Sequence, residues 1–295
     1  MILLTGTSGF IGQHLHNAIN KLYSPDEVVI YKSATGSTPS YLSHRGISLP
    51  ICATSKLNIT KVIHAGAYMP KSGDNAMDWK MNSGNITSTL ELLTILPPSV
   101  NTFIFLSTVD VYDTHNNIIN EESPVVPVSI YAHSKYYCER LLINWANEKN
   151  VISQILRVGH LYGPGEEAFQ KLIPVTIKKC YLGISPEIWG DGTEVRTLLY
   201  VKDAVNGILT AINLKHSLGV INLVGNEPMN IVSIVENIIR VIDSKLQINY
   251  QASQKAKRDL FFNNAKMKQN ILSSFTSFHH GITLEICQMK QFLNK

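Results

Sequence analysis

Tyr131 and Lys135 stand four residues apart in the stretch Tyr131-Ala132-His133-Ser134-Lys135. On a helix that spacing puts both side chains on one face, one turn apart. A free phenol titrates near ~10, too high for easy proton exchange at neutral pH, and an ammonium held beside it favours the phenolate. Lowering it by about three units takes roughly 4 kcal/mol of differential stabilisation, to which a bound nicotinamide cation would add. Thr108 could hydrogen-bond the same substrate oxygen. Because Tyr and Lys recur at this spacing by chance, the pair takes its meaning from the elements around it.

Those elements are legible. Phe103-Ile104-Phe105-Leu106 is an apolar run expected to form a buried parallel strand ending at Ser107-Thr108. A loop with Asp110 and Tyr112, punctuated by Pro124 and Pro127, leads to a helical pattern that opens at Tyr131 and continues through Leu141, Leu142 and Trp145.

At the start of the chain, Ile2-Leu3-Leu4-Thr5 reads as a strand running into Gly6-Thr7-Ser8-Gly9-Phe10-Ile11-Gly12 and then an amphipathic helix. Glycines at this spacing allow a tight turn and close backbone approach, and the helix N-terminus would face a pyrophosphate. Dinucleotide binding is the expectation. Val28-Val29-Ile30-Tyr31 is the next strand, and its end selects the cofactor. An acidic residue there binds the ribose 2′-hydroxyl of NAD; here the end carries Lys32 and Ser33, which can donate to a 2′-phosphate. NADP(H) is therefore favoured, with NAD(H) the alternative.

Residues 34–60 give no third-strand signal, and His44-Arg45 within them reads as a surface loop rather than a phosphate contact. Lys61-Val62-Ile63-His64 is a strand ending in the small residues Ala65-Gly66-Ala67, suited to close approach by a cofactor. A helix from Gly84-Asn85 to Leu96 follows, stopped by Pro97-Pro98. Val151–Leu156 is a further strand, and Arg157–Gly165 a loop at its end. Beyond it a second lobe is expected. It has a helix near Leu172, a strand and hairpin turn at Ile188–Thr193, Arg196, a helix start at Asp203, a strand at Val220–Leu223, and helices at 231–242 and 282–292.

The chain has 295 residues, 44% apolar and 16% charged, with a net charge of +4, which describes an ordinary globular protein of one or two lobes. No basic run argues for nucleic acid, and no apolar run is long enough to span a membrane. Four scattered cysteines without metal-like spacing read as reduced thiols of a cytoplasmic protein, and no metal site is expected.

With these residues assembled, the chain resembles an extended short-chain dehydrogenase/reductase of the NAD(P)-dependent epimerase/dehydratase type, over nearly its whole length. The resemblance rests on Gly6/Gly9/Gly12, Val62–Ala67, Asn85, Ser107-Thr108 with Val111-Tyr112, and Tyr131/Lys135. It continues in Tyr162-Gly163-Pro164-Gly165, Gly190-Asp191-Gly192-Thr193 with Arg196, and Tyr200-Val201 with Asp203. It implies an α/β fold: a doubly wound parallel Rossmann sheet over residues 1–160, rejoined by segments near 198–215, with a smaller mixed α/β substrate lobe over 161–295.

The resemblance makes Thr108, Tyr131 and Lys135 the catalytic set and gives Asn85 and Ser107 places around the cofactor. Thr108, Asp110, Tyr131, His160 and Arg196 fall on the substrate side, Arg196 for a nucleotide diphosphate. The partner is a nucleotide-sugar, and the two helices containing Asn85 and Tyr131 imply a homodimer. Two departures bear on the reaction. Thr108-Val109-Asp110 keeps one carboxylate where dehydratases of the family usually have a pair or a Glu, and His160 replaces a common Asn. The expected activity is an NADPH-dependent reductase of a nucleotide-linked 4-keto-6-deoxy sugar, the alternative an NAD-dependent nucleotide-sugar 4-epimerase; a non-catalytic nucleotide-binding protein is the outlying reading.

Overall fold

Ile2–Thr5 forms β1 with all four side chains buried, and the chain turns through the glycine loop into α1 (Phe10–Leu22). There follow β2 (Val28–Lys32), β3 (Tyr41–His44), β4 (Ile47–Pro50), β5 (Lys61–His64), α2 (Gly73–Met77), α3 (Trp79–Ile95), β6 (Thr102–Thr108), α4 (Ile130–Lys149) and β7 (Ile152–Val158). Next come β8 (His160–Tyr162), α5 (Leu172–Tyr181), β9 (Glu187–Trp189), β10 (Val195–Tyr200), α6 (Val201–Ala211) and β11 (Gly219–Leu223). The chain closes with β12 (Pro228–Asn230), α7 (Ile231–Ile242), β13 (Asn249–Gln251), α8 (Ala265–Asn270) and α9 (Phe278–Leu293). This computed structural model describes all residues except 35–38, 114–117, 168, 243–244, 254–256, 258 and 294–295.

Among the described residues, eight strands form one sheet in the order β11-β7-β6-β5-β1-β2-β3-β4. The pairs β2–β1, β1–β5, β5–β6 and β6–β7 are parallel. All seven residues of β6 are buried, which is why its apolar run lacks alternation: a central parallel strand is covered on both faces. One core cluster gathers Leu3, Val29, Val62, Phe103 and Phe105 of the sheet with Leu92 and Leu93 of α3 and Cys138, Leu142 and Ala146 of α4. The Ser129 hydroxyl accepts the Ala132 N–H at 3.1 Å and caps α4, while Asn150 ends it in the left-handed conformation. The cap places Tyr131 in the first turn.

The chain packs as two compact units. One comprises Met1–Val111, Val125–Val158 and Val205–Ile221; the other comprises Tyr112–Pro124, Gly159–Ala204 and Asn222–Lys295. Beside the expectation of a boundary at residue 160 with a return near 198–215, the units cross near 158 and return at 205–221, and Tyr112–Pro124 also falls in the second unit.

Three local expectations are corrected. The stretch 34–60 is not featureless: beyond residues 35–38, which lie outside the described residues, β3 and β4 form an antiparallel hairpin at the sheet edge. Arg45 and Gly46, both at positive φ, make its turn. His44 pairs opposite Val29, near the start of β2, so His44 and Arg45 lie at the end of the strand away from Lys32. The loop expected over Arg157–Gly165 contains β8, which pairs with β10 in parallel. The turn at Gly190–Thr193 does not close a hairpin, because β9 pairs with the distant β13.

Candidate active site

β1, β5, β6 and β7 run parallel, so their C-terminal ends share one edge of the sheet, the edge where open α/β sheets bind ligands. The glycine loop leaves β1 there. Gly6 has φ +73°, and a Cβ on it would lie 2.5 Å from Gly66 N and 2.6 Å from Ala65 O. Only a glycine lets the first loop seat against the Ala65-Gly66 turn after β5. Gly9 caps α1 without a side chain, and the first turn of α1 holds no acidic residue. The N-terminal N–H groups of α1 are thus matched to an anion, and the cradle fits a dinucleotide pyrophosphate. Thr7, Ser8, Phe10 and Ile11 line the same turn. Lys32 Nζ donates to Thr7 Oγ1 at 3.0 Å, so the end of β2 does meet this loop; Ser33 beside it is exposed.

Beneath the cradle runs a buried hydrogen-bond chain. Gly66 N–H donates to Thr5 Oγ1 at 2.8 Å, and Thr5 Oγ1 lies 2.7 Å from His64 Nδ1. His64 Nε2 lies 3.1 Å from Thr89 Oγ1, which donates to Asn85 O at 2.8 Å. Since Thr89 uses its proton on Asn85, it must accept from His64, which fixes the tautomer with hydrogen on Nε2 and Thr5 donating to Nδ1. Burial and then the Lys135 charge pull His64 down to about 3, so the ring is neutral. Asn85 accepts the Tyr68 N–H at 2.7 Å and donates to Ser134 Oγ at 3.2 Å, and Ser134 donates to Tyr131 O at 2.8 Å. Its amide thus ties the turn after β5 to α4, the supporting place that the resemblance also gives Asn85.

Thr108 ends β6 and Tyr131 and Lys135 lie on α4, all three buried. Thr108 Oγ1 donates to Asp110 Oδ2 at 3.2 Å and accepts the Asp110 N–H at 3.2 Å. Burial, then the Asp110 carboxylate, push Tyr131 above its ordinary 10, with a hydrogen bond to Thr108 working against them. The lowering expected from Lys135 is not seen: burial and Asp110 dominate, and the influence that opposes them comes from Thr108. Lys135 is 3% exposed, and its Nζ lies 4.2 Å from the centre of the Phe105 ring. Burial draws it down to about 8, with Cys138 and Glu139 opposing.

Ser107, expected near the cofactor, donates its hydroxyl to Glu139 Oε1. Sequence reasoning passed over Glu139 and its partner Arg157. The available signal was an acid four residues beyond Lys135, on the face already assigned to chemistry.

In the second unit, His160 opens β8 and is exposed. Arg196 on β10 is half-buried; its Nη1 donates to Val195 O at 2.9 Å and its Nη2 to Glu194 at 2.7 Å. Among the described residues no cluster of three or more metal-ligating side chains occurs, and no helix is long and apolar enough to cross a membrane.

The profile of the NAD dependent epimerase/dehydratase family matches residues 2–225. The chain belongs to this family. Among its relatives is a protein of Bacillus subtilis (strain 168) named as an uncharacterized UDP-glucose epimerase, 26% identical over 98% of this chain and 97% of its own. A solved UDP-glucuronic acid 4-epimerase from Bacillus cereus, in complex with UDP-glucuronic acid and NAD, superposes with a TM-score of 0.81 at 25% identity over 99% of both chains. The UDP-glucose 4-epimerase of Thermotoga maritima, with UDP-glucose, gives 0.82 at 22% identity over 99% of both. The superpositions show an α/β Rossmann fold, and the family match places the chain among the NAD dependent epimerases/dehydratases.

Proposed function

We propose that the chain is a nucleotide-sugar 4-epimerase acting on a UDP-hexose, with NAD as its resident cofactor. The observation that carries this is the meeting of Tyr131 with Thr108 at the sheet edge that also holds the glycine cradle. When bound, the dinucleotide supplies acceptance and return of hydride at C4. Tyr131 receives the C4 hydroxyl proton and gives it back after the sugar carbon has presented its other face. Thr108 hydrogen-bonds this phenol. Lys135, cationic at neutral pH, supplies the positive charge that a phenolate needs, and Phe105 holds its ammonium in a dry setting.

Two observations support epimerisation over the net reduction first expected. The ammonium of Lys32, on which that expectation leaned, is engaged by Thr7. The similar proteins above are named as epimerases, and the Bacillus cereus enzyme was solved with NAD. NADP remains a second reading, supported by the absence of a carboxylate at the end of β2. We assign Arg196 to the substrate diphosphate and His160 to the sugar, and infer a homodimer through α3 and α4. Those helices pack together and leave Trp79 (69% exposed), Leu90 and Tyr137 in solvent. The reading is tested by Tyr131→Phe: C4 inversion of UDP-hexoses should fall at least about 10³-fold while dinucleotide affinity holds. Undiminished turnover would sink it.

A further inference from the structure

α4 carries Tyr131, Lys135 and Glu139 at successive four-residue steps, so the three share a face. Glu139 is 1% exposed. Its Oε1 accepts Arg157 Nε at 3.0 Å and the Ser107 hydroxyl, and its Oε2 accepts Arg157 Nη2 at 2.7 Å. Arg157 comes from β7 and is also buried. A buried ion pair gives little net stability compared with apolar packing, so its presence at this spot calls for another use. The geometry supplies one. Ser107 is the residue before Thr108, so the carboxylate joins the strand end that presents Thr108 to the helix that presents Tyr131 and Lys135.

We propose that Glu139 is a positioning residue: pinned by Arg157, it holds the Ser107-Thr108 end of β6 in register with Tyr131 and Lys135 and sets a negative charge one turn from the lysine. This rests on the reading of Tyr131 as the proton-transfer group. The groups facing Lys135 are His64 from β5, the Phe105 ring from β6, and, from α4 itself, Cys138, Glu139 and Tyr131, whose phenol burial keeps protonated in the protein alone. His64 is neutral and Cys138 is a thiol whose proton burial retains, which leaves Glu139 as the anion.

The test compares two variants of the full chain loaded with dinucleotide. Ser107→Ala removes only the tie to the strand end and leaves the ion pair. It should fold, bind NAD within about threefold of the parent, keep KM within about threefold, and lose kcat about tenfold or more, since small misplacement of reacting groups is costly. Glu139→Gln should in addition move the alkaline limb of the pH–rate profile to lower pH by about half a unit or more, because Lys135 then releases its proton sooner. Where Glu139→Gln does not fold, Ser107→Ala decides. An unchanged kcat in Ser107→Ala overturns the proposal, as does a loss confined to NAD affinity, which would make Ser107 a cofactor ligand. A folded Glu139→Gln protein with the parental pH limb overturns it too. The proton-transfer reading fails separately, through an active Tyr131→Phe enzyme.

Discussion

The Thr108 hydroxyl donates to the Asp110 carboxylate at 3.2 Å, and this carboxylate is also the charge that most opposes ionisation of Tyr131. One acidic side chain therefore orients the threonine and restrains the tyrosine. Asp110→Asn keeps an acceptor for Thr108 and removes the charge. Tyr131 should then release its proton at lower pH, and the acidic limb of the pH–rate profile should shift down by about half a unit to one unit. Initial rates of C4 inversion across pH give the limb directly; an unmoved limb would separate Asp110 from Tyr131.

His64 makes stability depend on acid. Its folded value lies near 3 against an ordinary 6.5, so the unfolded chain binds the extra proton below 6.5. The stabilisation is complete above 6.5 and is lost as the pH falls from there toward the folded value, at up to about 1.4 kcal/mol per unit. Urea unfolding between about pH 7 and 5 should show that slope, and His64→Gln should flatten it.

A second pair acts in the opposite direction. Glu166, in the loop after β8, and Glu285 of α9 are both buried and interact electrostatically, with Lys171 Nζ 3.7 Å from Glu166 Oε2. Two carboxyls in contact share a proton. Burial raises both above the ordinary 4.5, and for Glu285 the charge of Glu166 adds to it. The folded state here binds more protons than the unfolded one, so the pair's contribution is full below 4.5 and is lost as pH rises through the raised values. Glu285→Gln, which keeps the side chain's shape and removes its charge, should raise stability at pH ~8 by roughly 1–3 kcal/mol and leave it unchanged near pH ~4. Thermal unfolding at the two pH values provides the comparison.

Cofactor choice tests the end of β2. Lys32→Glu would place an anion beside the glycine loop. NADP affinity should drop about 100-fold, with NAD affinity held or improved. Equal losses for both dinucleotides would mean that Lys32 supports the loop through Thr7 and does not select the cofactor.

How far the sequence could be read follows from the range of the forces involved. β6 was legible because burial on both faces leaves an unbroken apolar run, and the glycine loop because close packing against Ala65-Gly66 admits no side chain. The hairpin of β3 and β4 was not, since edge strands are short and half polar. β8 hid between Gly159 and Gly163, and β9 was given the wrong partner because its true neighbour β13 lies some sixty residues on. Within the site, Tyr131, Lys135 and Thr108 were found from local spacing. Glu139 was missed because an acid on a helix ordinarily faces water, and only the arrival of Arg157 from β7 explains its burial.

The most direct test of the epimerase reading is to incubate the purified protein, with NAD and no other reductant, with UDP-glucose and separately with UDP-glucuronic acid, and to follow the sugar protons by NMR. A 4-epimerase equilibrates one of them with its C4 epimer, with no net change in dinucleotide absorbance at about 340 nm. Accumulation of a 4-keto-6-deoxy sugar without inversion, or turnover of a 4-keto substrate only with stoichiometric consumption of NADPH, would contradict it.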